Sequence, residues 1–129
     1  MESQSFSQKA IIEEILIKLT ESCDYIIEWN QNIHSSQDYH TSSSNMQTLA
    51  ASCMLIEAIG EGFKSIEKRD KDFLEKNFKD VPWIDFIGIR NIIAHGYLKI
   101  NERIIFETVK QDIPQLKETL VKIMKKERI

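Results

Sequence analysis

An all-α bundle is the fold the sequence predicts, on three observations. Apolar residues recur every three or four positions over long stretches, the period of a helix that buries one face. No segment alternates with period two for long enough to make a convincing strand. Punctuation is sparse, with 4 Gly and 2 Pro in 129 residues. The composition, 42% hydrophobic and 29% charged at a net charge of −3, is that of one globular domain spanning residues 1–129. A disordered chain would have fewer aliphatic residues or a far larger net charge, and a disulfide scaffold would have many more than 2 Cys.

The first helix is expected from Gln8 to about Trp29, where Ile12, Ile15, Leu16, Leu19, Cys23, Ile26 and Ile27 share a face and Ser7 is placed to cap it. Residues 30–44 are polar and aperiodic, so they read as a loop, with His34 and His40 as solvated side chains rather than a metal pair. A second helix follows from about Ser44 to Lys68, with Leu49, Cys53, Ile56, Gly60 and Phe63 along one stripe. Gly60 and Gly62 each cost about 1 kcal/mol relative to Ala inside a helix, a cost usually offset by the close approach of another helix. Residues 68–80 read as a charged connector pinned by Phe73, Leu74 and Phe78.

Pro82 suits the first turn of a third helix, because its missing donor would be unpaired there. Trp83, Phe86, Ile87, Ile89 and Ile93 then face inward until Gly96, which suits a left-handed residue ending the helix. A short helix is expected over about Asn101 to Lys110. Asp112 is placed to cap another, with Pro114 near its first turn and Leu116, Leu120, Ile123 and Met124 facing inward. The expected architecture is an up-down bundle of four main helices plus a short extra one.

Charge is uneven: residues 1–62 sum to −7 and residues 63–129 to +4. A polyanion should prefer the second half, and an acidic protein needs a local site to hold nucleic acid. No apolar run approaches the roughly 18 residues of a membrane span, and the first twenty residues are not a signal-peptide core, so a soluble, cytoplasmic protein is expected. Cys23 and Cys53 form no CxxC or Cys/His cluster and read as buried free thiols, not zinc ligands.

The most informative stretch is Arg90-Asn91-Ile92-Ile93-Ala94-His95-Gly96-Tyr97. Here the sequence resembles the HepT-like toxins of the HEPN superfamily, whose signature is an Arg, four residues, a His, one residue and a Tyr, met here as Arg90, His95 and Tyr97. Pro82-Trp83 before the Ile-Gly-Ile-Arg run, Leu55 to Gly62, and Phe106 to Leu116 resemble the family's flanks, and the likeness spans roughly residues 8–125. It implies a HEPN-like bundle acting as a homodimer and a metal-independent endoribonuclease that needs no cofactor. It further implies a toxin of a type VII-like toxin–antitoxin pair, cutting mRNA or tRNA. In that family the tyrosine is silenced by AMP transfer from an MNT-type nucleotidyltransferase antitoxin, which points to Tyr97.

The residues fit that chemistry on their own terms. Cleaving RNA through its 2′-hydroxyl needs a group that moves protons near neutral pH and a fixed cation for the developing phosphoryl charge. His95 and Arg90 are the candidates. Five residues advance an ideal helix by about 500°, which puts the two on different faces unless His95, on a frayed last turn, swings toward the groove Arg90 reaches. Asn91 is placed to orient Arg90 or the phosphate. Glu61 is the candidate to pair with Arg90 and fix its rotamer, with Glu57 the lesser one. An adenylate on Tyr97 would put a bulky anion beside His95. The chain has no Gly-rich phosphate loop, so it is not expected to bind ATP itself. A function of another class competes: a non-catalytic helical subunit that docks a nucleotidyltransferase and helps bind its nucleotide or substrate.

Overall fold

The fold was taken from a computed structural model, which describes the backbone of residues 2–127 and the side chains of residues 7–126. The elements are α1 (Glu2–Trp29), a 3-10 turn (Ser36–His40), α2 (Ser43–Arg69), α3 (Lys71–Asn77) and α4 (Trp83–Gly96). A second 3-10 turn (Tyr97–Lys99), α5 (Glu102–Glu107), a π-helical turn (Thr108–Asp112) and α6 (Ile113–Glu127) complete them. No strand occurs among the described residues. Helix α2 lies at the centre, packed on α1 along one side and α4 along the other, and α6 covers the remaining flank of α1.

The apolar stripes explain this order. Leu16, Leu19, Cys23 and Ile26 of α1 are buried, as are Ile56, Ile59, Phe63 and Ile66 of α2 and Leu116 and Leu120 of α6. Phe63 meets Phe78 edge-on and Phe86 at a tilt, with centroids 5.3 and 5.7 Å away, so one ring joins α2 to the α3–α4 segment. Both cysteines are free and buried, and burial pushes each thiol up to about 12.

Five details differ from the sequence expectation. Helix α1 begins at Glu2 and runs through Ser7, which therefore is no cap; residues 2–6 contain no Gly or Pro to stop the helix earlier. The connector contains α3, capped by Asp70, whose carboxylate accepts the Phe73 N–H; Leu74 and Phe78 are buried and Phe73 half-buried. Gly96 ends α4 but has φ −178°, an extended value that any residue adopts, and the chain turns straight into the 3-10 segment. Asp112 caps nothing, because α5 continues into α6 through the π turn. Pro114 lacks an N–H and clashes with the carbonyl four residues back, so the wider turn just before it lets the helix pass without a break. His40 is not simply solvated: its Nε2 lies 2.5 Å from the Glu102 carboxylate, tying the first 3-10 turn to α5.

One buried polar side chain organises the end of the bundle where α1 stops. Asn30 donates its amide to the Ile26 carbonyl and the Ser52 hydroxyl, and accepts from the Tyr39 hydroxyl, each at 2.8 Å. Its backbone carbonyl accepts from the Lys110 ammonium at 2.8 Å. Four elements are thereby pinned to one residue whose polar groups are satisfied, as a buried asparagine requires.

Candidate active site

The site is built where α4 crosses α2. A Cβ placed on Gly60 would lie 2.5 Å from Arg90 Cβ and 2.7 Å from the Phe86 carbonyl oxygen, so only the absence of a side chain lets the two backbones approach this closely. The crossing sets Arg90 against the next residue of α2, Glu61, whose carboxylate pairs with the guanidinium Nη2. Arg90 also donates from Nη1 to the Asn91 side-chain oxygen at 2.6 Å. Its side chain is 22% exposed against 50% for Glu61, so the pair sits at the rim of the seam, not in bulk solvent. The Arg90 Nε–H is buried and has no partner among the described residues. A guanidinium carries five N–H donors, so with one committed on each terminal nitrogen it keeps a further donor on each.

His95 is exposed and lies on the last turn of α4. Its Nδ1 is 2.8 Å from the backbone carbonyl of Asn91. A carbonyl oxygen only accepts, so Nδ1 carries the hydrogen and, in the neutral ring, Nε2 holds the free lone pair. Asn91 thus holds both groups: its side chain takes Arg90, and its carbonyl orients His95. Among the described residues Arg90 and His95 make no direct hydrogen bond to each other. His95 lies within α4, which runs to Gly96, and its ring is held on the Asn91 carbonyl one turn earlier.

Tyr97, two residues on, opens the second 3-10 turn and is 37% exposed. Partial burial pushes its hydroxyl above the ordinary tyrosine value, with smaller contributions in the same direction from Cys53 and from the Glu102 carboxylate. Glu57 makes no ion pair among the described residues. No group of three or more His, Cys, Asp or Glu side chains there is arranged to hold a metal, and no described helix is long and apolar enough to cross a membrane.

Two features were not read from the residues alone. One is the part played by the Asn91 main chain, which no residue type signals. The other is the meeting of His40 with Glu102 across 62 positions, which sequence separation conceals. The contact of Gly60 with Arg90 did leave a signal: a helix-interior glycine directly before an acid implies a close crossing that also delivers a carboxylate.

An arginine clamped at a glycine-permitted helix crossing, one turn from an exposed and tautomer-fixed histidine, defines a class of small all-helical domain carrying an Arg-x4-His site. Within that class the chain belongs to the HepT-like ribonuclease family, whose model matches residues 9–123. It is similar to "Putative RNase MJ1380" of Methanocaldococcus jannaschii, 33% identical over 110 residues that cover 85% of this chain and 94% of that protein. It is equally similar to "Putative RNase TTE0752" of Caldanaerobacter subterraneus subsp. tengcongensis, 33% identical over 110 residues, 85% of this chain and 91% of the relative. A shorter match, 34% over 70 residues, reaches "Probable ribonuclease HepT" of Thermococcus cleftensis and covers 54% of this chain and 60% of that one. No solved structure matches the chain significantly.

Proposed function

We propose that the chain is an endoribonuclease toxin that cuts RNA with Arg90 and His95 and works without a metal. The observation that carries this reading is the Asn91 arrangement, which fixes the tautomer of the exposed His95 with Nε2 free and restrains the Arg90 guanidinium on the same helix. Nε2 takes the proton of an RNA 2′-hydroxyl as O2′ bonds to phosphorus and the bond to the 5′-oxygen breaks, leaving a cyclic phosphate. Arg90, with its two uncommitted Nη hydrogens, stabilises the charge on the non-bridging oxygens, while Glu61 and Asn91 hold its plane. A homodimer places two such sites around one cleft, so that one histidine accepts a proton while the other donates one to the leaving oxygen.

Regulation follows from position. Tyr97 is exposed enough to be modified, and an AMP group on it puts a phosphate within the region of Arg90 and His95, competing with RNA for the same cation. The donor in this reading is an MNT-type nucleotidyltransferase that serves as antitoxin. A test is incubation of the purified protein with single-stranded RNA in EDTA. Cleavage with cyclic-phosphate ends is expected, and His95→Ala should lose it while keeping its fold; a fully active His95→Ala protein would remove His95 from the mechanism. Separately, the partner enzyme with ATP should add one AMP mass to the wild type and none to Tyr97→Phe.

One observation favours a second reading, in which the chain is a non-catalytic subunit that docks a nucleotidyltransferase and holds a phosphate. Arg90 is largely covered and already faces a carboxylate. RNA bound without products in the EDTA experiment would select it.

A further inference from the structure

The outward side of α1 carries an aromatic pair that the proposed chemistry does not use. The face of this helix toward the core is Leu19, Cys23 and Ile26; Tyr25 and Trp29 point away from it. Their rings stack with centroids 5.6 Å apart and planes inclined by 25°, and the residues stand 51% and 39% exposed. A stacked pair one turn apart stabilises a helix by only about 0.2–0.5 kcal/mol, which accounts for the rings touching each other but not for two large aromatics left in water. Aromatic rings of this kind are what protein interfaces concentrate at their centres.

The surroundings state the sign of the missing occupant. Glu21 lies one turn before Tyr25, and Glu28 lies just before Trp29; both are exposed, and neither makes an ion pair among the described residues. Asp24, between them, is already taken by Lys117 of α6. Two unpaired carboxylates along one edge of an aromatic step repel phosphate, so this is no RNA surface, and they sit in the half of the chain whose net charge is −7. The complementary group is a cation that also stacks. A planar guanidinium stacks on rings and pairs with carboxylates at once, while an ammonium does only part of this.

We infer that this face of α1 docks a protein partner through an arginine that stacks on Tyr25 and Trp29 and pairs with Glu21 and Glu28 along the same edge. The inference is independent of whether the chain cuts RNA. It is tested on the full-length protein by NMR titration with a short Gly/Ser peptide bearing two arginines and with the same peptide carrying neutral citrulline. Saturable shifts confined to residues 21–29 are expected with arginine, with affinity at least about tenfold weaker for the citrulline peptide. Trp29→Ala and the double variant Glu21→Gln/Glu28→Gln should each weaken arginine binding by a similar factor, and both retain the fold because the changed side chains are exposed. Equal binding of the two peptides, or unchanged affinity in the double variant, overturns the inference. So does a shift of Trp29→Ala from dimer toward monomer in sedimentation, since that outcome gives the face to a second copy of the chain.

Discussion

Two of the bundle's seams are built on different principles. Helices α1 and α6 bury leucines such as Leu16, Leu116 and Leu120, and among the described residues an exposed ion pair, Lys117 with Asp24, joins them. Between α2 and α4, beside the buried Phe63–Phe86 contact, the helices touch at a residue with no side chain, and there they press against an arginine. A seam made for stability fills its volume with hydrocarbon. The α2–α4 crossing instead gives up side-chain packing at Gly60 and leaves the buried Arg90 Nε–H without a partner among the described residues, while holding the guanidinium in place. Stability and positioning are therefore separable by mutation, and the two seams should respond in different currencies.

The largest effect on stability is expected at the hydrocarbon seam. Leu120→Ala removes a fully buried side chain and should destabilise the protein by about 2–5 kcal/mol, measured by urea unfolding. RNA cleavage per folded molecule should be unchanged. A proportionate loss of cleavage in the folded fraction would mean that α6 shapes the site after all.

Gly60→Ala reverses the balance. The added methyl collides with the Arg90 side-chain base and with a backbone oxygen, neither of which can move aside cheaply, so α4 must shift. The cost in stability should be about 1–3 kcal/mol, and cleavage should fall far more than that loss of folded protein explains, since Arg90 leaves its position. Unchanged cleavage in Gly60→Ala would show that the crossing is only packing. A finer contrast uses the two ion pairs. Lys117→Gln should change stability by less than about 1 kcal/mol, because both partners of that pair are exposed, whereas Glu61→Gln leaves the largely covered Arg90 without its carboxylate and should cost about 1–3 kcal/mol. Only Glu61→Gln should lower cleavage, with kcat affected more than KM if the carboxylate holds the arginine plane in the transition state.

Most of the fold was legible before any coordinate, because long amphipathic periods leave few alternatives: α1, α2, α4 and α6 all follow from spacing. The misread places share a cause, in that the same residues serve two geometries. Pro114 after Asp112 fits a helix start, and it equally fits a proline carried through a continuous helix by a π turn. Gly96 fits a left-handed stop, yet the chain takes an extended value there and turns on. Helix α3 was hidden because its seven residues are too few for a period to show. In the candidate site, the expected pairing of Glu61 with Arg90 is present, while Arg90 and His95 stand out mainly through the family resemblance. The hydrogen bond from His95 to the Asn91 carbonyl was not legible, because every residue has that carbonyl and only the backbone trace says whether it is within reach.

Asp112 supplies the last contrast, a carboxylate placed among its own kind. Where Glu61 faces a guanidinium, Asp112 is partly buried on the π turn, and burial first, then the charges of Asp85 and Glu107, push its carboxyl above the ordinary 3.8. A folded-state value above the unfolded one means that the folded protein binds the proton more tightly, so ionising Asp112 disfavours the fold. That penalty is fully present above the raised value, shrinks as pH falls through it, and is absent below about 3.8, where the carboxyl is protonated in both states. Asp112→Asn removes the ionisation and keeps the shape, so it should raise the melting temperature slightly at pH 7 and leave it unchanged near pH 3.5. A gain that persists at the lower pH would come from the amide's own contacts, and a loss at pH 7 would mean that the carboxylate is a wanted acceptor at the turn.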